Sequence, residues 1–484
     1  MTPIRRFGAV DFVLFLYVVL LAGGVRAGYL ALCADNAHNP GPLIVQDQAG
    51  ESDISDLYHN VKDNNSFKSA APLSDGPEET AHASPGYPWV LGMLAHYVST
   101  DQFDSTVRWI QCGLGALTAG LYYLFARRAF RSLAVGVLAG MLCGLHPFWV
   151  VDAAAINDGT LASFLVGMVL FTGARAGQTG APFASLLYGL SLAGMALVRA
   201  ALLPFAFIGL AWFLLRSRRQ PSGWLGALLA FLGFVIGVAP WAIRNWQVYG
   251  EPTPIVDSAY LHLLMGNDPK ADGGPVAVDD VLTPEKVQEL KEIKKQPERY
   301  ARLGPVVWDE MLRDPPAVPR HWLQSGLAFY FGRQLLGPEH RVVDVATAPP
   351  PAAVLDHVAA GTPAVGGGVE PPPPAPTPKP APMPELVASS YGVIFGWTVF
   401  GVAVLAALGW RWSYGWRAES MPAVLAMIWI PLPYILSHAE MLSGPRLPLD
   451  GVLLCYAAFA LLCFVPGIRR YLLEGTRAAT PPPG

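Results

Sequence analysis

The sequence predicts an all-α polytopic membrane protein with about ten transmembrane helices and interfacial helices in its outer loops. Its 484 residues are 52% hydrophobic and only 14% charged, where soluble domains carry about 25% charge. Apolar runs long enough to cross a bilayer recur along the chain. The arginines fall at every second connection between those runs.

The expected spans lie near 11–32, 107–126, 132–151, 158–174, 182–198, 200–215, 223–242, 388–410, 422–437 and 448–467. The first, Phe12 to Leu32, follows Arg5 and Arg6 as a signal peptide would. It is longer than a signal core and many spans follow, so it reads as an uncleaved helix. Only Arg199 separates the fifth and sixth runs. Tyr87 to Val98 is too short to span, and is expected to lie in the outer interface or to re-enter.

Arg127, Arg128 and Arg131, then Arg175, Arg216 to Arg219, Arg411, Arg417, Arg469 and Arg470 mark alternate loops. The positive-inside rule places these in the cytoplasm, with both termini. That needs an even number of spans, and ten satisfies it. The chain then divides into a first helix (1–32), an acidic outer loop (33–106) and helices two to seven (107–242). An outer region with amphipathic helices (243–347), a Pro-rich linker (348–387), three last helices (388–467) and a cytoplasmic tail (468–484) follow. In the outer region, 285–300 is charged and helix-compatible, whereas 300–311 and 321–336 are amphipathic and aromatic, as in helices lying on a membrane. The linker, with Glu370 before four prolines, reads as polyproline or disordered.

Several function classes are disfavoured. The cytoplasmic loops are too short for a nucleotide-binding domain and no GxxxxGK[ST] occurs, which argues against an ATP-driven pump. Basic residues form short clusters, not a nucleic-acid-binding patch. None of the five cysteines makes a CxxC pair, and all lie in or beside apolar runs, so they read as small buried residues.

Both hydrophilic regions share the outer face, so the chemistry is expected there. Cys33 to Pro85 carries nine carboxylates against two lysines, centred on Glu51, Asp53, Asp56 and Tyr58. Such a group can act as a general base, hold a divalent cation through hard carboxylate oxygens, or simply be a solvated acidic loop. Ionisable residues at span ends are costly and tend to mark function. Here they are Asp158, Arg199, Arg244, His438, Glu440 and Arg446. Arg199 also fits a residue snorkelling to lipid phosphate, and Arg244 an interfacial anchor beside Trp241 and Trp246. Arg446, an outer arginine against the positive-inside trend, is the best candidate for an anionic ligand. Three arginines facing a carboxylate group would suit transfer from a phosphate-linked donor, because guanidinium stays charged and donates in pairs.

The order of four motifs resembles the GT-C superfamily of polytopic glycosyltransferases. Within it the chain looks most like bacterial family-39-like and dolichyl-phosphate-mannose protein mannosyltransferase-like proteins. The motifs are the Asp53, Asp56 and Tyr58 loop followed by Pro85-Gly-Tyr-Pro88, then Asn157-Asp158-Gly-Thr-Leu161. Next come Pro240-Trp-Ala-Ile-Arg-Asn245 with Gly266-Asn267, and last His438 through Pro445-Arg446-Leu-Pro448. The resemblance implies a GT-C-like core over residues 10–467 and an inverting transfer from a polyprenyl-phosphate sugar to a lipid, glycan or protein acceptor. Carried over, Asp53 is the general base with Asp56 its rival, and Arg199, Arg244 and Arg446 hold the donor phosphate. Tyr58, Tyr87, Asp158, Asn267, His438 and Glu440 contact substrate. The resemblance implies no certain cofactor, and a divalent cation stays open. The chain departs from the pattern at Ala83, where the family has arginine before Pro-Gly-Tyr-Pro, and at Leu447 in place of tyrosine. The alternatives are a non-catalytic member of the family, or a transporter or lipid flippase; the latter predicts inverted repeats with broken helices at matching positions, and the sequence has no convincing internal repeat.

Overall fold

The computed structural model describes residues 8–32, 57, 59–63, 66–70, 73–218, 223–253, 255–331, 397–438 and 446–479. Asp53, Asp56, Tyr58, Glu440, Cys33 and the Pro-rich linker lie outside these described residues.

Among the described residues, every expected span carries helix, and the strands are confined to one small hairpin. In chain order, α1 (Ala9–Leu32) is followed by β1 (Lys68–Ala70) and β2 (Pro77–Glu79), paired antiparallel. Then come α2 (Gly86–Ala95), α3 (Thr100–Ala129), α4 (Leu133–Gly144), α5 (Pro147–Asp152), α6 (Gly159–Thr179) and α7 (Pro182–Val198). After a 3-10 turn at Ala200–Leu202, α8 (Leu203–Ser217) and α9 (Gly223–Tyr249) complete the first bundle. A region of short helices follows: α10 (Ala259–Asn267), α11 (Val278–Val281), α12 (Pro284–Lys291), α13 (Gln296–Ala301), α14 (Leu303–Arg313) and α15 (Ala317–Phe331). The last group is α16 (Val402–Trp412), α17 (Met421–Trp429), α18 (Leu432–Leu436), α19 (Leu447–Cys463) and α20 (Pro466–Ala479).

Four described helices are long and apolar enough to cross a membrane: Ala9–Ala31, Gly159–Thr179, Ala200–Ser217 and Gly223–Tyr249. Four shorter apolar helices accompany them, and α19 bends by 118° into α20. Besides that bend in the expected 448–467 span, two further expected spans are broken rather than continuous. The 132–151 run divides at Leu145–His146 before Pro147, and the 422–437 run at Ile430–Pro431. Proline explains both, since its ring removes an N–H and clashes with the preceding turn. The 285–300 stretch is likewise two short helices, the second starting with Pro297 in its first turn. The Tyr87 to Val98 stretch carries the short helix α2, Gly86–Ala95, too short to span.

The last span, α19, is buried along almost its whole length and packs against α16, α4 and α6. The described cysteines, Cys112, Cys143, Cys455 and Cys463, are buried thiols without disulfides. Glycines set the closest helix approaches, as expected where apolar surface alone cannot drive helices together. A Cβ on Gly409 of α16 would overlap the backbone carbonyl of Tyr456. Gly409→Ala is therefore expected to cost about 1–3 kcal/mol through overpacking, read as a lowered unfolding midpoint in detergent. Gly113→Ala, where a Cβ meets open space, is the control that should leave the midpoint near wild type.

Candidate functional site

Asp158 stands in the turn before α6. Asn157 Oδ1 accepts the Gly159 amide at 2.8 Å, and the Asp158 carbonyl accepts the Ala162 amide at 2.8 Å. Arg199 occupies the break between α7 and α8 in an extended conformation, φ −137° and ψ 101°. Its side chain thereby leaves the helix axis. Nε donates to Asp158 Oδ2 and Nη2 to Asp158 Oδ1, both at 2.7 Å, in the fork geometry that favours arginine. The guanidinium also lies within electrostatic range of Tyr434 on α18.

The Pro85-Gly-Tyr-Pro88 motif closes one wall of this pair. Ser84 Oγ accepts the Ala200 amide at 3.0 Å. A Cβ on Gly86 would lie 2.8 Å from the Leu197 backbone, so glycine alone permits the approach. Tyr87 is buried and donates to Gln111 Oε1 at 2.6 Å, while Gln111 Nε2 donates to the Ala155 carbonyl at 2.5 Å. Its hydroxyl ties α2 to the turn leading to Asp158.

Arg244 is committed elsewhere. It donates to the Thr80 carbonyl at 3.0 Å and the Phe67 carbonyl at 3.3 Å, and pairs with Glu79. Its guanidinium lies over the Trp241 ring at 4.7 Å, a cation–π contact. Arg244 thus clamps the β1–β2 hairpin onto the end of α9. Leu57, next after Asp56 in sequence, is buried in the same corner with Phe67 and Trp241. On the hairpin's other side, Arg299 pairs with Glu78 at 2.5 Å and Gln296 accepts the Ala81 amide at 2.6 Å.

Arg446 is 1% exposed. Nε donates to Asp450 Oδ1 at 2.6 Å, and Nη1 donates to the Tyr330 carbonyl on α15. Asp450 Oδ2 lies 3.5 Å from His146 Nε2. Arg199 and Arg446 therefore meet the same packed pair of helices, α15 and α18: Arg199 reaches Tyr434, Tyr434 stacks on Phe329 at 5.6 Å, and Arg446 holds the carbonyl of Tyr330. Arg244 reaches neither helix through any of these contacts.

The family model described as dolichyl-phosphate-mannose-protein mannosyltransferase matches residues 81–243. Over that segment the chain resembles these mannosyltransferases. The mannosyltransferase-like segment contains Tyr87, Asp158 and Arg199 and ends one residue before Arg244; Asn267, His438 and Arg446 lie beyond it. No curated protein matches the chain. Among solved structures, it is similar to the oligosaccharyltransferase AglB of Archaeoglobus fulgidus in complex with an inhibitory peptide and a dolichol-phosphate. That match has 12% identity and a TM-score of 0.48, and covers 96% of this chain and 52% of that chain. The apo oligosaccharyltransferase of Archaeoglobus fulgidus matches at 14% identity and a TM-score of 0.47, covering 99% of this chain and 53% of that one. The chain spans about half the length of either structure.

Beyond the mannosyltransferase-like segment, Asn267 is a joint. Nδ2 donates to the Leu263 carbonyl at 2.8 Å and the Leu436 carbonyl at 2.9 Å, and Oδ1 accepts Trp322 Nε1 at 3.1 Å. His438 Nε2 lies 3.1 Å from His262 Nδ1. Among the described residues, no three His, Cys, Asp or Glu side chains form a metal cluster.

Several buried polar residues in or beside the spans escaped the sequence reading. Arg26, His146, Asp152 and Asp450 are all buried. A signal existed for each: Arg26 interrupts the first apolar run, Asp450 lies one helical turn after Arg446, and His146 and Asp152 flank the Pro147 break.

Outside the spans, Asp257 precedes α10. Neither of its carboxylate oxygens has a hydrogen-bond partner among the described residues, although its amide donates to the Ala81 carbonyl at 3.0 Å. Burial pushes its carboxyl up to about 6, while neighbouring His82 pulls it down. A raised carboxyl means the folded state holds the proton over a pH window where the unfolded chain has released it. Stability from this group is thus full below pH 4 and is lost as pH rises through about 6. Asp257→Asn is expected to stabilise the protein at pH 7.5 by on the order of 1–2 kcal/mol, and to flatten the midpoint's dependence between pH 4 and 6.

Proposed function

We propose that the chain is an integral membrane glycosyltransferase of the GT-C type, multi-pass in the cytoplasmic membrane with both termini cytoplasmic. It moves a sugar from a polyprenyl-phosphate-linked donor to an envelope lipid, glycan or protein acceptor at the outer face, with inversion. The observation that carries this reading is the bidentate Asp158–Arg199 pair, set in a helix break against Ser84 and Gly86 and inside the segment that matches the mannosyltransferase family. An arginine held at a helix break beside a polar loop is suited to a leaving phosphate, whose charge grows as the glycosidic bond breaks. Arg446 supports the site through Tyr330, and Arg244 supports it by holding the first-loop hairpin.

The acceptor hydroxyl needs a base, and we assign Asp53 with Asp56 as the alternative. Asp53→Asn is expected to abolish transfer of labelled sugar in membranes at unchanged protein level. Transfer retained by that variant and by Asp56→Asn would remove the assignment.

A further inference from the structure

A cavity lined by Arg26, Gly115, Thr118, Trp149, Asp152, Thr160 and Ser163 lies between α1, α3, α5 and α6. It offers the centre of a water molecule about 10 Å³, room for a single ordered water. Three of the lining side chains are buried and carry atoms without a hydrogen-bond partner among the described residues: Arg26 at Nε and Nη2, Asp152 at Oδ1 and Ser163 at Oγ. Arg26 is anchored at its remaining nitrogen, where Nη1 donates to the Ala22 carbonyl at 3.0 Å and the Gly144 carbonyl at 2.9 Å. A Cβ on Gly115 would sit 2.5 Å from Arg26 Nε, so the glycine makes room for the guanidinium.

A lone anion would face the Asp152 carboxylate, and a lone cation would face Arg26. Water can accept from a guanidinium and donate to a carboxylate and a hydroxyl at once, and a buried water characteristically makes about three such bonds. An unpaired buried arginine and carboxylate are each costly, so a bridge relieves both.

Asp152 also shapes the turn carrying Asp158. Its Oδ2 accepts the Thr160 hydroxyl at 2.7 Å. A Cβ on Gly159 would lie 2.6 Å from its Oδ1, so the turn is wrapped closely on the carboxylate.

We infer that one ordered water bridges Arg26, Asp152 and Ser163, and that this bridge makes Arg26 and Asp152 positioning residues for the Asp158–Arg199 pair. The second half rests on the function proposed above. The test uses the purified full chain with two readouts. The first is the unfolding midpoint of Arg26→Met, Asp152→Ala and the double variant. Both single variants should lose stability and the double variant should lose clearly less than their sum; additive losses would overturn the bridge. The second is affinity for a polyprenyl phosphate, with the KM for acceptor measured alongside. Asp152→Asn should weaken the phosphate ligand on the order of ten- to a hundred-fold and leave the acceptor KM unchanged. Unchanged phosphate affinity in folded Asp152→Asn, or equal loss for donor and acceptor, overturns the positioning role. Failure of the wild type to bind polyprenyl phosphate sinks the proposed function instead, while the midpoint cycle still decides the bridge.

Discussion

Arg199→Gln is expected to lower sugar transfer by about 10²- to 10³-fold, the range seen when one preorganised donor to developing charge is removed. Two effects add. The variant loses the cation that the proposed function sets beside the leaving phosphate, and it leaves Asp158 without the two 2.7 Å bonds that fix its carboxylate. Arg199→Lys separates these effects, because lysine keeps the charge but cannot form the fork. An intermediate loss, on the order of tenfold, is expected for lysine. Rates are read with labelled polyprenyl-phosphate sugar in membranes, normalised to folded protein. Near-wild-type transfer in Arg199→Gln would leave the pair as a structural tie between α6 and the α7–α8 break, with no part in chemistry.

The largest effect on stability is expected at Asp450. Asp450→Ala strands Arg446, which is 1% exposed, among buried apolar neighbours. Breaking a buried ion pair from one side costs about 3–5 kcal/mol, because the remaining charge is desolvated and unpaired. The double variant Arg446→Met with Asp450→Leu should recover most of that loss, since apolar groups of similar volume replace such pairs at little cost. The measurement is thermal unfolding in detergent for the two single variants and the double. Full recovery of stability together with lost transfer would make the pair functional rather than structural. Recovery of both would make it neither. His146 takes part in the same network through Asp450, so His146→Leu should act non-additively with Asp450→Ala.

Much of this architecture was legible because membrane insertion is written in composition. Long apolar runs must be helical where no water can satisfy the backbone, so the spans, the short helix at 86–95 and the amphipathic helices near 303–331 could be located by counting. The arginine at position 199 was legible for the same reason, as a charge with no business between two apolar runs. Partner choice was not legible. Arg199 and Arg244 look alike in sequence, each beside a span end, yet Asp158 takes the first and Glu79 with two loop carbonyls takes the second. Those partners are 41 and 165 residues away, beyond any local pattern. Arg26 and Asp152 were hidden differently. A single charge inside a long run barely alters its mean hydropathy, and only the packing of α1 against α3 and α5 brings the two to one cavity.

By itself, then, the sequence determined that the chain is an all-helical membrane protein, roughly where its helices lie, and which polar residues demand an explanation. Those properties follow from one-dimensional hydropathy and from proline. Tertiary structure decided which charges neutralise each other, that α19 is buried along almost its whole length, and that Arg244 holds a hairpin while Arg199 and Arg446 meet the α15–α18 pair. The physical reason is that a buried charge costs several kcal/mol unless paired, and pairing is a property of three-dimensional proximity that spacing along the chain does not encode.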